Sequence, residues 1–131
     1  MTFKWLDRRT ASPGPYLTLV LNEADYLKAM KQCKVKVIND WIKTSWADAT
    51  AHMLDHPDGG QCVIVALREK EKSDPIEIAG LLVHEAVHIA QRYFASIGEH
   101  APAEEQQAYA IQAFSQELMA EYARQVKERK K

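Results

Sequence analysis

The sequence predicts a single α+β domain over residues 1–131, in which a small antiparallel or mixed β-sheet packs on a helical layer. Three observations predict this class. The chain is too short for two ordinary domains, two strand-like segments flank a glycine-containing turn, and a long apolar helix pattern with a cap at its start follows them. The elements are expected in the order β-α-β-β-α-α.

The first strand and the first helix are predicted in the N-terminal part of the chain. Residues Tyr16 to Leu21 (YLTLVL) are mostly β-branched or apolar, which is typical of a strand. Asn22 is suited to cap a helix because Asp25 stands three residues later, as in a capping box. The helix is expected from Glu23 to about Lys34.

A β-hairpin is predicted in the middle of the chain. From Trp46 to Leu54 the residues alternate, with Asp48, Thr50 and His52 on one side and mainly alanines on the other. Cys62 to Leu67 (CVIVAL) is a short apolar run, as expected of a buried strand. The loop between the two segments contains two glycines, which favours a hairpin turn.

Two helices are predicted in the C-terminal half. Asp74 caps the first, Pro75 occupies its first position and Glu77 completes a capping box. This helix is expected to end just before Gly98, which suits a helix C-terminus. Pro102 is expected to open a final helix that reaches the C-terminal residues.

Composition and charge exclude several classes of partner. The formal net charge of −1 provides no basic surface for nucleic acid. No segment has the apolar length of a transmembrane helix, and residues 1–9 lack the apolar core of a signal peptide. The two cysteines, Cys33 and Cys62, fit no metal-binding spacing and are interpreted as reduced, buried small hydrophobes. A cytoplasmic protein without a membrane or nucleic-acid partner is therefore expected.

The residues that indicate chemistry lie in the middle of the long predicted helix. His84-Glu85-Ala86-Val87-His88 matches the pattern H-E-x-x-H. Residues four apart lie one turn apart on the same face, so both imidazoles can bind one zinc ion with bonds of about 2.0–2.1 Å. Glu85 lies one position round the helix, from where its carboxylate can reach a metal-bound water. Unpaired polar groups are costly in a buried helix, and one zinc ion would satisfy all three.

A catalytic zinc ion needs a third protein ligand and an open position for water. The third histidine of the metzincin pattern is absent, because Phe94 stands at its position. A carboxylate in the first turn of the next helix is therefore favoured. Glu105 is preferred to Glu104, since Tyr109 and Gln112 share its face and could support the site. The remaining candidates for this ligand are Glu99, His100, His52 and His56.

The segment from about Asp74 to Tyr122 resembles the gluzincin branch of the zincin metallopeptidases, in which a glutamate on a later helix is the third ligand. The run Glu105-Gln106-Gln107-Ala108-Tyr109 is similar to the E-x-x-A-[D/N] element of several such families, with tyrosine at its last position. The segment also resembles small H-E-x-x-H proteins encoded by phages and prophages. The resemblance implies a minimal zincin-like fold, with a small sheet on one side of a cleft and the active-site helix beneath it. It also implies a zinc ion bound by His84, His88 and Glu105.

The expected activity is zinc-dependent hydrolysis of peptide bonds. Zinc would lower the pKa of a bound water, and Glu85 would take its proton and pass it to the leaving amine. Tyr109, Arg92 or His100 would stabilise the oxyanion. The expected substrate is a peptide or protein bound by strand addition to one strand of the predicted hairpin.

Two other functions are also consistent with these residues. A non-catalytic zinc-binding structural or interaction protein would replace the open position with a fourth protein ligand, such as His100 or His52. A helical regulatory module without metal would keep His84 and His88 as core residues with ordinary hydrogen bonds.

Overall fold

Three strands and three helices make up the protein, in an α+β arrangement. The computed structural model describes residues 3–6, 14–36, 39–43 and 47–130, and the statements below concern these residues. In chain order they form β1 (Tyr16–Val20), α1 (Glu23–Gln32), β2 (Ala49–Asp55), β3 (Gln61–Leu67), α2 (Pro75–Ser96) and α3 (Glu104–Arg129). None of the described helices is long and apolar enough to cross a membrane.

The sheet is mixed and has β3 at its centre. Its strand order is β1-β3-β2, with β1 parallel and β2 antiparallel to β3. On the outer side of β1, the backbone N–H of Leu6 donates to the carbonyl of Leu17 over 2.8 Å. The strand β2 is therefore left as the other edge of the sheet.

The predicted hairpin is formed by β2 and β3. The backbone N–H of His56 donates to the carbonyl of Gly60 over 3.0 Å and closes the turn. Gly59 and Gly60 have φ values of 99° and 82°, a region that residues with a Cβ rarely adopt. The strand β2 begins at Ala49, and Trp46, the predicted start, lies outside the described residues.

Helices cover both faces of the sheet, whereas the sequence predicted one helical layer. The reason lies in β3, which is buried on both faces from Cys62 to Leu67. Its residues Val63, Val65 and Leu67 pack against α2 and α3. Its alternate residues, Cys62, Ile64 and Ala66, pack against α1. An apolar strand of this kind loses stability if either face stays in water.

The polar side of β2 is buried, on the face that α1 covers. Thr50 is 7% and His52 is 3% exposed. The His52 ring lies against Tyr26, with ring centroids 4.7 Å apart, and its Nε2 lies 2.9 Å from the carbonyl oxygen of Trp41. Because a carbonyl only accepts, Nε2 carries the proton in this hydrogen bond. Burial lowers the pKa of His52, so the ring is held neutral.

The two cysteines meet in the core beneath α1, although 28 residues separate them in the chain. Both are free and buried, as predicted, and their thiols share a hydrogen bond. Burial, reinforced by this contact, raises the pKa of Cys33 to about 12. Its thiol is therefore protonated near neutral pH and unreactive as a nucleophile.

Local sequence signals define most helix ends. Asn22 accepts a 2.8 Å hydrogen bond from the N–H of Asp25, and Asp74 accepts one of 2.8 Å from Ile76. At the end of α2, Gly98 has a φ of 78°, and a Schellman motif closes the helix. Helix α3 begins at Glu104, later than Pro102 predicted, because the residue between them keeps an extended backbone.

A hydrogen-bonded ion pair joins the end of β3 to the C-terminal end of α3. Arg129 donates to both carboxylate oxygens of Glu69, over 2.6 and 3.2 Å, and the Tyr122 hydroxyl donates to the same group over 2.7 Å. The hydrogen bonds from Arg129 hold the pKa of Glu69 below its usual range. The ionised form of Glu69 is therefore favoured by folding.

We predict that Glu69→Gln lowers the free energy of unfolding by about 1 kcal/mol at neutral pH. The pKa of a glutamate carboxyl is about 4.3 in the unfolded chain, and folding lowers the pKa of Glu69. Its stabilising contribution is therefore present at pH values above about 4.3 and is lost as the pH falls through the pKa of the folded state. The difference between parent and variant should therefore shrink below pH 4. Urea unfolding at pH 7 and pH 3 measures this difference, with Glu71→Gln, an exposed change of the same type, as control. An unchanged difference at both pH values would contradict this assignment.

Candidate functional site

The H-E-x-x-H residues point in two directions from α2. Glu85 faces the sheet and is 5% exposed, together with the core residues Leu82, Ala86 and Ile89. His84 and His88 lie on the exposed side of the helix. The expectation that both histidines lie in the apolar interior is therefore wrong, because α2 packs on the sheet and α3 and leaves its opposite face in solvent.

The two imidazoles converge on each other. The Nε2 atom of His84 lies 3.2 Å from the Nε2 atom of His88, and the ring planes are 73° apart. The Nδ1 atom of His88 lies 3.3 Å from the amide oxygen Oε1 of Gln91. Because that oxygen only accepts, Nδ1 carries the proton and Nε2 of a neutral His88 presents its lone pair toward His84.

This geometry fits a bound cation. Two nitrogens bonded to one tetrahedral zinc ion at about 2.0–2.1 Å are about 3.3 Å apart, close to the observed separation. The contact from Gln91 to Nδ1 is also the kind that orients histidine ligands of metals. Without a cation, a hydrogen bond from Nε2–H of His84 to Nε2 of His88 accounts for the same distance.

Glu85 reaches the edge strand. Its carboxylate accepts a hydrogen bond from the backbone N–H of Ala51 in β2. Burial raises the pKa of Glu85, while the charges of His84, His88 and Lys43 and the Ala51 hydrogen bond partly oppose this effect. A carboxylate with a raised pKa beside two potential metal ligands has the properties of a general base.

An open cleft of about 600 Å³ runs between α2 and β2. Small side chains, Ala47, Ala49 and Ala51, line its strand side, and His84 and His88 lie on its helix side. The remaining residues that line it are Lys43, Thr50, Met53, Glu85, Gln91 and Arg92. The methyl side chains of the strand leave room for a ligand next to the histidines.

The outer edge of β2 borders this cleft. The N–H of Arg68 donates to the carbonyl of Asp48, which shows that this pair bonds across the ladder. In an antiparallel pair, the backbone N–H and C=O groups of every second residue bond to the partner strand. Those of the residues in between point away from that strand. The backbone groups of Ala49, Ala51 and Met53 therefore face away from β3. The Ala51 N–H donates to Glu85. The backbone groups of Ala49 and Met53 are suited to bind an extended peptide.

The structure does not bring the predicted third ligand to the histidines. Glu104 and Glu105 lie exposed in the first turn of α3, and Tyr109 is 66% exposed on the same helix. None of the three lines the cleft. Within the described residues, no group of three or more His, Cys, Asp or Glu side chains is arranged to hold a metal. The roles of Glu105 and Tyr109 therefore stay predictions from the sequence.

The other third-ligand candidates lie elsewhere. Glu99 and His100 line another cavity where α2 meets α3, and Gln91 lines both this cavity and the cleft. His52 lies on the α1 side of the sheet. His56 belongs to the hairpin turn and lines a cavity beside the cysteines.

Three features of the site were not identified from the sequence. Lys43 enters the cleft from a segment between the first predicted helix and the predicted hairpin, to which the sequence assigned no element. The Ala51 donor is a backbone N–H, which no residue type reveals. Gln91 was given no role. Its position three residues after His88, on the same helix face, is the signal that could have identified it as the partner of that ring.

Comparisons with protein-family models, with curated proteins and with solved structures found no match to this chain. The functional assignment therefore rests on the residues and geometry described above.

We predict that the protein binds about one zinc ion per chain through the histidine pair. His84→Ala should abolish this binding, and Gln91→Ala should weaken it roughly tenfold or more, because the His88 ring loses its orienting partner. Gln116→Ala, an exposed amide change on α3, is the control and should bind as the parent does. Elemental analysis after dialysis gives the stoichiometry, and competition with a chelator gives the affinity. Equal zinc content in the parent and His84→Ala would exclude the pair as a ligand.

Proposed function

We propose that this protein is a zinc-dependent peptidase-like enzyme with a minimal zincin-like architecture. The observation that carries the proposal is the convergence of the His84 and His88 Nε2 atoms beside a buried glutamate, in a cleft bordered by an edge strand. Each part has a function in peptide hydrolysis: a metal-binding pair, a base, and backbone groups that can hold an extended substrate.

The protein's own residues would bind the metal and move the proton. A zinc ion held by the histidines would supply a water of lowered pKa and polarise the substrate carbonyl. Glu85 would accept a proton from the attacking water and deliver it to the leaving amine. The Ala51 N–H holds the Glu85 carboxylate at the wall of the cleft, so the base is oriented before substrate binds.

Substrate binding is proposed along β2. An extended peptide that pairs with the outward backbone groups of Ala49 and Met53 lies over the histidine pair. Arg92, one of the residues considered for the oxyanion, lines the cleft, whereas Tyr109 lies outside it. Arg92 is therefore placed to contact a substrate bound along β2.

Glu105 is proposed as the third zinc ligand on the resemblance to gluzincins alone. Its carboxylate is exposed in the first turn of α3 and does not line the cleft.

Glu105→Gln should lower zinc affinity by at least about tenfold, whereas Glu104→Gln should leave it nearly unchanged, because a carboxylate ligand binds zinc far better than an amide does. Chelator competition on both variants provides the measurement. Equal effects of the two substitutions would remove Glu105 from the proposed ligand set.

Glu85→Gln should retain zinc and lower the rate of hydrolysis of an unfolded protein substrate by at least about a hundredfold, because glutamine cannot accept the proton. Glu77→Gln, an exposed change on the same helix, is the control and should cleave as the parent does. Rates are measured at saturating zinc, with zinc content determined on the same samples. Full activity of Glu85→Gln would show that another group is the base.

A non-catalytic metal-binding protein is the second candidate. It would use the convergent Nε2 atoms of His84 and His88 as metal ligands without an open position for water. This candidate predicts stoichiometric zinc with no hydrolysis by the parent, and increased thermal stability on zinc addition.

A further inference from the structure

Two positive side chains line the proposed catalytic cleft. Arg92 extends from α2, one turn beyond His88, and Lys43 enters from the segment that precedes β2. Both residues are exposed. The cleft therefore has a cation on its helix wall and another on its strand wall.

No described acid neutralises either cation by contact. Neither the Lys43 nor the Arg92 side chain forms an ion pair or hydrogen bond within the part of the chain that the structure describes. Asp48, the nearest acid in sequence to the strand wall, is paired with Lys70 at 3.0 Å. Glu85 is the one acidic residue among those that line the cleft, and its carboxylate already accepts from Ala51.

The backbone that carries Lys43 is held firmly against the sheet. The Lys43 N–H donates to the Thr50 hydroxyl over 3.2 Å, and the His52 ring donates to the Trp41 carbonyl over 2.9 Å. The Tyr26 hydroxyl donates to the carbonyl of Asn39 over 2.9 Å. Lys43 therefore enters the cleft from a fixed position, and its charge acts on Glu85.

We propose that the cleft selects peptides that carry a carboxylate near the residue lying over the histidine pair, with Lys43 and Arg92 as the specificity-determining residues. This inference rests on the proposed function, since it assumes a peptide along β2. Unpaired cations at the two walls attract an anionic ligand, and the guanidinium of Arg92 can bind a carboxylate through two parallel hydrogen bonds.

The carboxylate has two possible sources, an acidic side chain or the C-terminus of the peptide. The test uses short fluorescent peptides of alanine and glycine in four forms, with central glutamate or glutamine and with a free or amidated C-terminus. Fluorescence anisotropy measures their binding to the full chain, with zinc and with chelator. Binding is thereby separated from hydrolysis.

A carboxylate-bearing peptide should bind roughly tenfold more tightly than its glutamine or amide counterpart, which corresponds to one charge-assisted contact. Preference for the central glutamate would identify a side-chain carboxylate, and preference for the free C-terminus would identify a terminal one; either supports the proposal. Lys43→Gln and Arg92→Gln should each reduce the preference, and the double variant should remove it. Lys28→Gln, an exposed change on α1, should leave it unchanged.

Equal binding of all four peptides, or an undiminished preference in the double variant, would overturn the inference. Circular dichroism of each variant separates loss of selectivity from loss of folding. Failure of the proposed function looks different: no zinc is bound and no peptide is cleaved, whatever the peptide preference. Cleavage without any preference for carboxylates would retain the enzyme and reject this selectivity.

Discussion

The hydrogen bond from the Ala51 N–H to the Glu85 carboxylate is the contact on which the cleft depends. It joins the middle of α2 to the outer edge of β2, and it supplies a donor to a carboxylate that burial would otherwise make costly. Ladder pairing with β3 fixes Ala51, and the packing of Leu82 and Ala86 fixes α2. With both elements fixed, His84 and His88 line the helix side of the cleft.

The N-terminal half of the chain contributes to this cleft through the far face of the sheet. Because β3 is apolar on both faces, α1 covers the side opposite α2. The polar residues Thr50 and His52 are buried there and form hydrogen bonds with the backbone of Lys43 and Trp41. A buried polar face thus positions a charged residue in the cleft on the other side of the strand.

The elements with strong local signals were predictable from the sequence. The caps at Asn22 and Asp74 and the stop at Gly98 involve residues within a few positions of one another. The convergence of His84 and His88 also follows from helical spacing. The exposure of these histidines was not predictable, because the apolar composition of α2 does not reveal which of its faces the sheet covers. The sequence allowed an antiparallel or a mixed sheet, and it did not indicate that β1 pairs in parallel with a strand that follows 40 residues later.

By itself, the sequence determined the helices, the hairpin and the spacing of the H-E-x-x-H residues, because these depend on neighbours along the chain. Only the tertiary structure decided that Glu85 bonds to β2, that Lys43 and Arg92 share a cleft, and that Cys33 meets Cys62. It also left Glu105 outside the cleft. Such contacts depend on how separate elements pack, and residue spacing within one element carries no information about that packing.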